Sequence, residues 1–131
     1  MRLNNQQKNC SCTNLRRRKH GLRPLKLARA LRHAARMHAR NMVRHRFFGH
    51  TDYKGRTASD RVARFNPDIR IRAIGENLAF GQDSAAAACR AWMRSSGHRA
   101  NILGRYNRIG LGFWPGGEWG RYYVQVFARA G

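Results

Sequence analysis

Acidic residues are scarce in this chain. Six Asp and Glu stand against 27 Lys and Arg among 131 residues, giving a net charge of +21 and a pI near 11.8. A surface so short of negative charge attracts polyanions: nucleic acid, anionic lipid headgroups or acidic cell-wall polymers. The positive charge is mostly Arg and is spread along the chain, with Arg16-Arg17-Arg18-Lys19 the only run. Zinc-finger spacing and RNA-binding signatures are lacking, so a dedicated nucleic-acid module is not indicated and the charge reads first as a solvated Arg-rich surface. Long apolar runs are lacking too. No segment is long and apolar enough to cross a bilayer. The opening Met1–Gln7 has no apolar stretch of the secretory-signal kind, which suits either a cytoplasmic chain or a mature or shortened form of an exported one.

Cysteine is sparse and odd in number: Cys10, Cys12 and Cys89. At least one thiol is therefore unpaired or intermolecular. Cys10 and Cys12 are too close to bridge each other readily, and either can pair with Cys89. No Cys-x-x-Cys metal pattern occurs, and Cys89 in its Ala-rich stretch reads as a small buried apolar residue.

What remains is an ordinary foldable chain. Hydrophobic residues make up 42% and aromatics 10%, enough for one domain with its own core. Residues 1–13 are polar and read as a flexible lead-in that turns helical toward Leu15, with a single domain over 14–131. Gly21 stops that segment, and Pro24 is placed to open a helix over 25–45. There Leu27, Leu31, Ala35, His38, Ala39 and Met42 recur at three- and four-residue steps, with Arg29, Arg32, Arg36, Arg40 and Arg44 on the other side. Like charges at that spacing repel slightly, so burial of the apolar stripe must hold this helix.

Phe47-Phe48-Gly49-His50 leads into a loop. Thr57-Ala58-Ser59-Asp60 is a capping sequence for a short helix through Ala63. Ile69, Ile71 and Ala73 alternate with Arg70 and Arg72 as a short strand, followed by Gly75-Glu76-Asn77-Leu78. Asp83 or Ser84 caps a helix over 85–93. Ser95-Ser96-Gly97-His98 breaks it before a further helical turn at 99–103. Residues 108–114 and 121–128 form strands around a Pro115-Gly116-Gly117 turn. Helices with a late antiparallel hairpin indicate an α+β domain.

These segments resemble a known family. Gly21-Leu22-x-Pro24-Leu25, Ala34-Ala35-x-x-His38-Ala39-x-x-Met42 and Phe48-Gly49-His50 are similar to the opening of the CAP superfamily. That superfamily includes cysteine-rich secretory proteins, venom antigens and plant pathogenesis-related proteins. Gly75-Glu76-Asn77-Leu78-Ala79 resembles its GEN element. Trp92-x-x-Ser95-x-Gly97-His98-Arg99-x-Asn101-Ile102-Leu103 resembles the bacterial form of a later element. Ile109-Gly110-Leu111-Gly112 and Tyr122-x-Val124-Gln125-x-Phe127 resemble its closing strands. The likeness spans residues 14–128, and its strength lies in the order of the pieces.

The resemblance implies a three-layer α-β-α sandwich with a central antiparallel sheet and a cavity where His50, Glu76 and His98 meet, lined also by Asn77 and Ser95. Many eukaryotic members carry a further Glu where Ser95 stands, which leaves a three-residue site. Two imidazoles and a carboxylate suit zinc with an open position for water, whose pKa would then fall to about 7. Without metal, the same groups can satisfy one another, Glu76 raising the pKa of a histidine. His38 reads as a hydrogen-bonded core residue, and His20, His33 and His45 as exposed. Ser95 or Ser96 with His98 lacks the third orienting group and nucleophile turn of a serine hydrolase. Trp92, Trp114 and Trp119 read as packing residues, with Trp119 exposed enough to touch a ligand. The implied function is a secreted, monomeric, non-catalytic domain that binds a small ligand, a lipid or a cell-envelope partner. A metal-dependent hydrolase using the same cluster is the second reading, and a polyanion binder using the Arg surface the third.

Overall fold

The computed structural model describes residues 3–131. Its elements in chain order are α1 (Asn5–Lys19), β1 (Lys26–Leu27), α2 (Arg29–Arg44), α3 (Ala58–Phe65), β2 (Ile71–Phe80), α4 (Ala85–Met93), α5 (Ser96–Ile102), β3 (Arg108–Gly117) and β4 (Gly120–Ala130). The sheet order is β1-β3-β4-β2, antiparallel except where the two residues of β1 run parallel to β3. Helices cover both faces, so the sandwich of three layers expected from the resemblance is present.

Alternation along the strands divides the core in two. Leu78, Tyr122, Val124, Val126 and Ala128 face α2 and α3, where they meet Leu31, Ala35, Ala39, Met42 and Val62. Ala79, Ile109, Leu111, Tyr123 and Phe127 face the other layer and meet Ala88, Trp92 and Ile102. On the α2 side of β3 the intervening residues are Gly110 and Gly112. A Cβ on either would run into the α2 backbone, at Leu31–Arg32 and Ala35–Arg36 respectively. Glycine there lets the helix lie directly on the strand.

The polar lead-in expected over residues 1–13 is corrected from Asn5 onward: α1 is helical from there, capped by Asn4 and Gln7 in a reciprocal box. The physical reason is that its inward face is polar. Asn9, Thr13 and Arg17 recur every four residues and are buried. Asn9 donates to the carbonyl of Ala85 at 2.8 Å, and Gln125 of β4 donates to Asn9 Oδ1 and Thr13 Oγ1 at 2.7 and 3.0 Å. Arg17 donates to the carbonyls of Ile102 and Gly104, both at 2.8 Å. A disulfide from Cys12 to Cys89 ties α1 to α4, so Cys89 is a bonded half-cystine rather than a small apolar filler, and Cys10 is the free thiol. At the start of α1 the side-chain amide of Gln6 serves Leu111 on the outer edge of β3. Its Oε1 accepts from the Leu111 N–H at 2.8 Å, and its Nε2 donates to the Leu111 carbonyl.

Three boundaries differ from expectation. Residues 25–28 are drawn out beside β3, with the Ala28 N–H on the Ile109 carbonyl at 3.0 Å, so the long helix starts at Arg29 and Leu27 is exposed instead of joining the stripe. Pro24 therefore precedes a strand. Residues 71–80 form one strand because β4 pairs along its length, with a bulge at Arg72 and unbroken register from Ala73 to Phe80, placing Glu76 and Asn77 in regular sheet. His98 lies inside α5 rather than in a break. The capping box of Thr57 and Asp60 and the Ser84 cap stand as expected.

Candidate functional site

The site begins where α2 ends. His38, buried on the apolar face of α2, donates from Nε2 to the carbonyl of Gly49 at 2.7 Å. Burial lowers its pKa and so favours the neutral ring, and the Gly49 carbonyl, which can only accept, places the remaining proton on Nε2. The next carbonyl, that of His50, accepts from Arg61 of α3 at 2.9 Å. The loop carrying His50 is thus pinned at two successive backbone oxygens. Its side chain is 65% exposed but anchored, with Nδ1 lying 2.9 Å from Oε1 of Glu76.

Glu76 is buried on β2 and uses both oxygens. Oε2 accepts from Arg61 at 2.8 Å. Arg61 is itself buried and also donates to the carbonyl of Arg56. Asp52 completes the network. It lies 3.8 Å from Arg61, takes a 2.8 Å bond from Arg56 Nε, and accepts from the backbone N–H groups of Lys54 and Arg56. Burial would raise the Asp52 carboxyl, but those amides and the Arg56 guanidinium outweigh it and hold the pKa below the usual range. Two of the six acids in the chain are therefore spent on one buried network.

Asn77 points to the other face of the sheet, as strand alternation requires, and does not line a site with Glu76. It is buried, donates to Gln125 Oε1 and to the carbonyl of His98, both at 3.1 Å, and accepts from Asn101 at 2.8 Å. Asn101 also donates to the Glu76 carbonyl at 3.2 Å. Adjacent residues of β2 hold the two histidine segments: Glu76 orients His50 through its side chain, and Asn77 fixes the α5 backbone at His98. The His98 ring is half-buried. Burial and then the charge of His50 lower its pKa, while the bond to Glu76 raises that of His50 despite partial burial. Ser95 is the N-cap residue of α5, but its side chain makes no capping bond. It has no hydrogen bond to His98 among the described residues, so no nucleophile–base pair is formed.

The donor set does not fit a three-ligand zinc as it stands. Among the described residues no three His, Cys, Asp or Glu side chains are gathered to hold a metal ion. The one carboxylate is already shared between an imidazole and a guanidinium. What the arrangement offers is one exposed imidazole biased toward its cationic form, with Nε2 unengaged among the described residues, and a second biased toward neutrality. Sequence reasoning missed Arg61 and Asp52. Nothing distinguishes Arg61 among so many arginines, but the scarcity of acids is a usable signal, because each one that is buried must have a partner.

The fold and this histidine–glutamate–arginine network define a three-layer domain of one recognisable kind. Residues 10–127 match the family described as "CAP: Cysteine-rich secretory protein family", and the chain belongs to it. It is 33% identical over 114 residues to the uncharacterized protein YkwD of Bacillus subtilis, covering 86% of this chain and 44% of that one. It is 30% identical over 118 residues to the uncharacterized membrane protein YlbC of the same organism, covering 89% of this chain and 32% of that one. The chain thus spans less than half the length of these curated relatives. Among solved structures, an extracellular SCP-domain protein of Bacillus anthracis superposes with a TM-score of 0.85 at 28% identity, over 95% of this chain and 40% of that one. An outer surface protein of Borrelia burgdorferi shares the fold, with a TM-score of 0.81 at 21% identity over 92% and 89%. Among the described residues of this chain, no helix is long and apolar enough to cross a membrane.

Proposed function

We propose that this chain is a non-catalytic CAP binding domain working outside the cell or in its envelope. It takes a small ligand, a lipid or an envelope component at the face formed by His50 and His98. The observation that carries this reading is the double engagement of Glu76. With Oε1 on His50 and Oε2 on Arg61, both carboxylate oxygens are committed to orienting the network, so that a base or metal ligand would have to compete with these bonds, and the carboxylate presents His50 as an oriented donor. The Bacillus anthracis relative, extracellular by its name, supports the location.

A zinc-dependent hydrolase using His50, Glu76 and His98 is the competing reading, favoured only by the donor types. Equilibrium dialysis against zinc, followed by turnover assays with ester, peptide and phosphodiester substrates, decides between them. No metal-dependent turnover is expected. In a parallel titration with short-chain phosphatidylglycerol, followed by NMR, the His50 and His98 ring signals are expected to shift first. Zinc-dependent turnover that disappears in both His50→Ala and His98→Ala overturns the binding reading.

A further inference from the structure

The outer face of α2 is a row of arginines with no counter-charge paired to it among the described residues. Arg29, Arg32, Arg36, Arg40 and Arg44 are all exposed and lie opposite the buried stripe of Ala30, Leu31, Ala34, Ala35, Ala39 and Met42. Most successive members are four residues apart, which is about 6 Å along a helix axis, and the row extends for about 22 Å. The ion pairs among the described residues all draw on Asp52 or Glu76, and Asp60 is held in the Thr57 cap. Among the described residues no acid pairs with this row. Like charges at such spacing weaken a helix, so an anion laid along it removes a cost as well as adding contacts.

Two recesses flank the row. One of about 460 Å³ is lined by Arg32, Arg36 and the β3 segment Gly112–Pro115. The other, about 380 Å³, is lined by Arg36, Arg40, Arg64, His33 and Phe65. Trp114 borders both. The guanidinium carbons of Arg36 and Arg40 lie 5.4 and 5.6 Å from its ring centroid, which orders two cations at the middle of the row.

We infer that this face docks a linear polyol-phosphate polymer, a chain of phosphodiesters joined by small polyols. Charge complementarity points to a repeating anion, and the guanidinium fork suits phosphate. The aromatic groups argue against nucleic acid. Unstacked bases need free ring faces, but Trp114, the ring at the middle of the row, already carries the two guanidiniums, which leaves Phe65, tilted against His33 at 5.5 Å between centroids, as an exposed ring at the margin. The face therefore reads backbone charge along its length and lacks a row of free rings on which successive bases could stack. This docking surface goes beyond the His50 and His98 reading and does not depend on it.

The test is binding of labelled polyglycerol phosphate by fluorescence anisotropy across a salt series, with single-stranded DNA of equal charge and phosphatidylglycerol vesicles as the other arms. The triple variant R32Q/R36Q/R40Q is compared with R90Q/R94Q/R105Q, which removes the same charge from exposed positions on and after α4 and α5. Thermal melts report whether both variants are folded, and loss of repulsion should leave the α2 variant at least as stable as the parent. The α2 variant is expected to lose about tenfold or more in affinity at low salt. Its slope of log K against log salt should fall by about 2, at ~0.7 for each contact removed. The control variant should change far less. Equal loss in the two variants reduces the effect to net charge and overturns the proposal. Tighter binding of DNA assigns the face to nucleic acid instead, tighter binding of vesicles assigns it to a membrane surface, and affinity that ignores salt removes its electrostatic basis.

Discussion

His50 and Glu76 form a bonded pair across two layers of the fold, with Nδ1 of the loop histidine 2.9 Å from Oε1 of the strand glutamate. The pair is asymmetric. The histidine is exposed and the glutamate is buried, and the second glutamate oxygen is held by a buried arginine. The histidine is therefore the most exposed member of the network, and the buried Glu76 and Arg61 fix its orientation.

The protonation of His50 tests that relationship. Its bond to Glu76 raises its pKa above the ordinary value, while burial and then the His50 charge lower that of His98. NMR titration of the two ring signals should give His50 the higher midpoint, and Glu76→Gln should bring His50 down toward about 6.5. The sign for stability follows. The His50–Glu76 contribution is fully present below the unfolded value near 6.5 and is lost as pH rises through the raised folded value. A midpoint for His50 that stays unchanged in Glu76→Gln would remove the glutamate as its cause.

Arg61 is the positive centre of the buried network. Arg61→Met leaves Glu76 and Asp52 without it, and a broken buried pair costs about 3–5 kcal/mol. Urea unfolding should show a loss of that order, whereas Arg44→Met on the exposed face of α2 should change stability by less than about 0.5 kcal/mol. A small effect of Arg61→Met would mean that the carboxylates find other partners.

Gly112 and Gly97 make a contrasting pair for the same substitution. A methyl at Gly112 meets the α2 backbone, which cannot turn aside as a side chain does, whereas one at Gly97 meets nothing within 4 Å. Gly112→Ala should cost about 3 kcal/mol or more as overpacking. Gly97→Ala, inside α5, should be neutral or stabilise by up to about 1 kcal/mol. Thermal melts of the two variants check both signs.

The Cys12–Cys89 bond closes a loop with a sequence separation of 77 residues. Cys12→Ser should lower unfolding stability by about 2–4 kcal/mol, and reduction of the parent should do the same. In the oxidised native protein a thiol reagent should modify only Cys10. That reaction should be slow, because burial raises the Cys10 pKa and leaves less thiolate. Rapid modification of two further thiols without denaturant would contradict the bond.

Much of this fold was legible because its signals are local. The Ala-rich apolar stripe gave most of α2, the Thr57 and Ser84 caps placed α3 and α4, and alternation gave β4. What escaped was decided by partners distant in sequence. The polar inward face of α1 has no hydrophobic period, since Asn9, Thr13 and Arg17 are satisfied by Ala85, Gln125, Ile102 and Gly104. Leu27 leaves the helical stripe because β3 pairs with its segment. At the site, His50, Glu76 and His98 were found through their resemblance to a family. Their spacing alone carried no information. The structure bonds His50 to Glu76, seats His98 on α5, and turns Asn77 to the opposite face of the sheet.

The amide of Gln6 has a consequence for the chain's behaviour in concentrated solution. Beyond the short β1, the outer edge of β3 would offer a bare peptide ladder to any other extended chain. Gln6 fills one rung by imitating a peptide unit, and Pro115, which has no N–H, disables another. The start of α1 thus acts as a selvedge, the woven border that keeps a cloth from fraying. A chain trimmed past Gln6 would retain most of its core but expose an adhesive margin, and would be prone to stack strand against strand with its own copies.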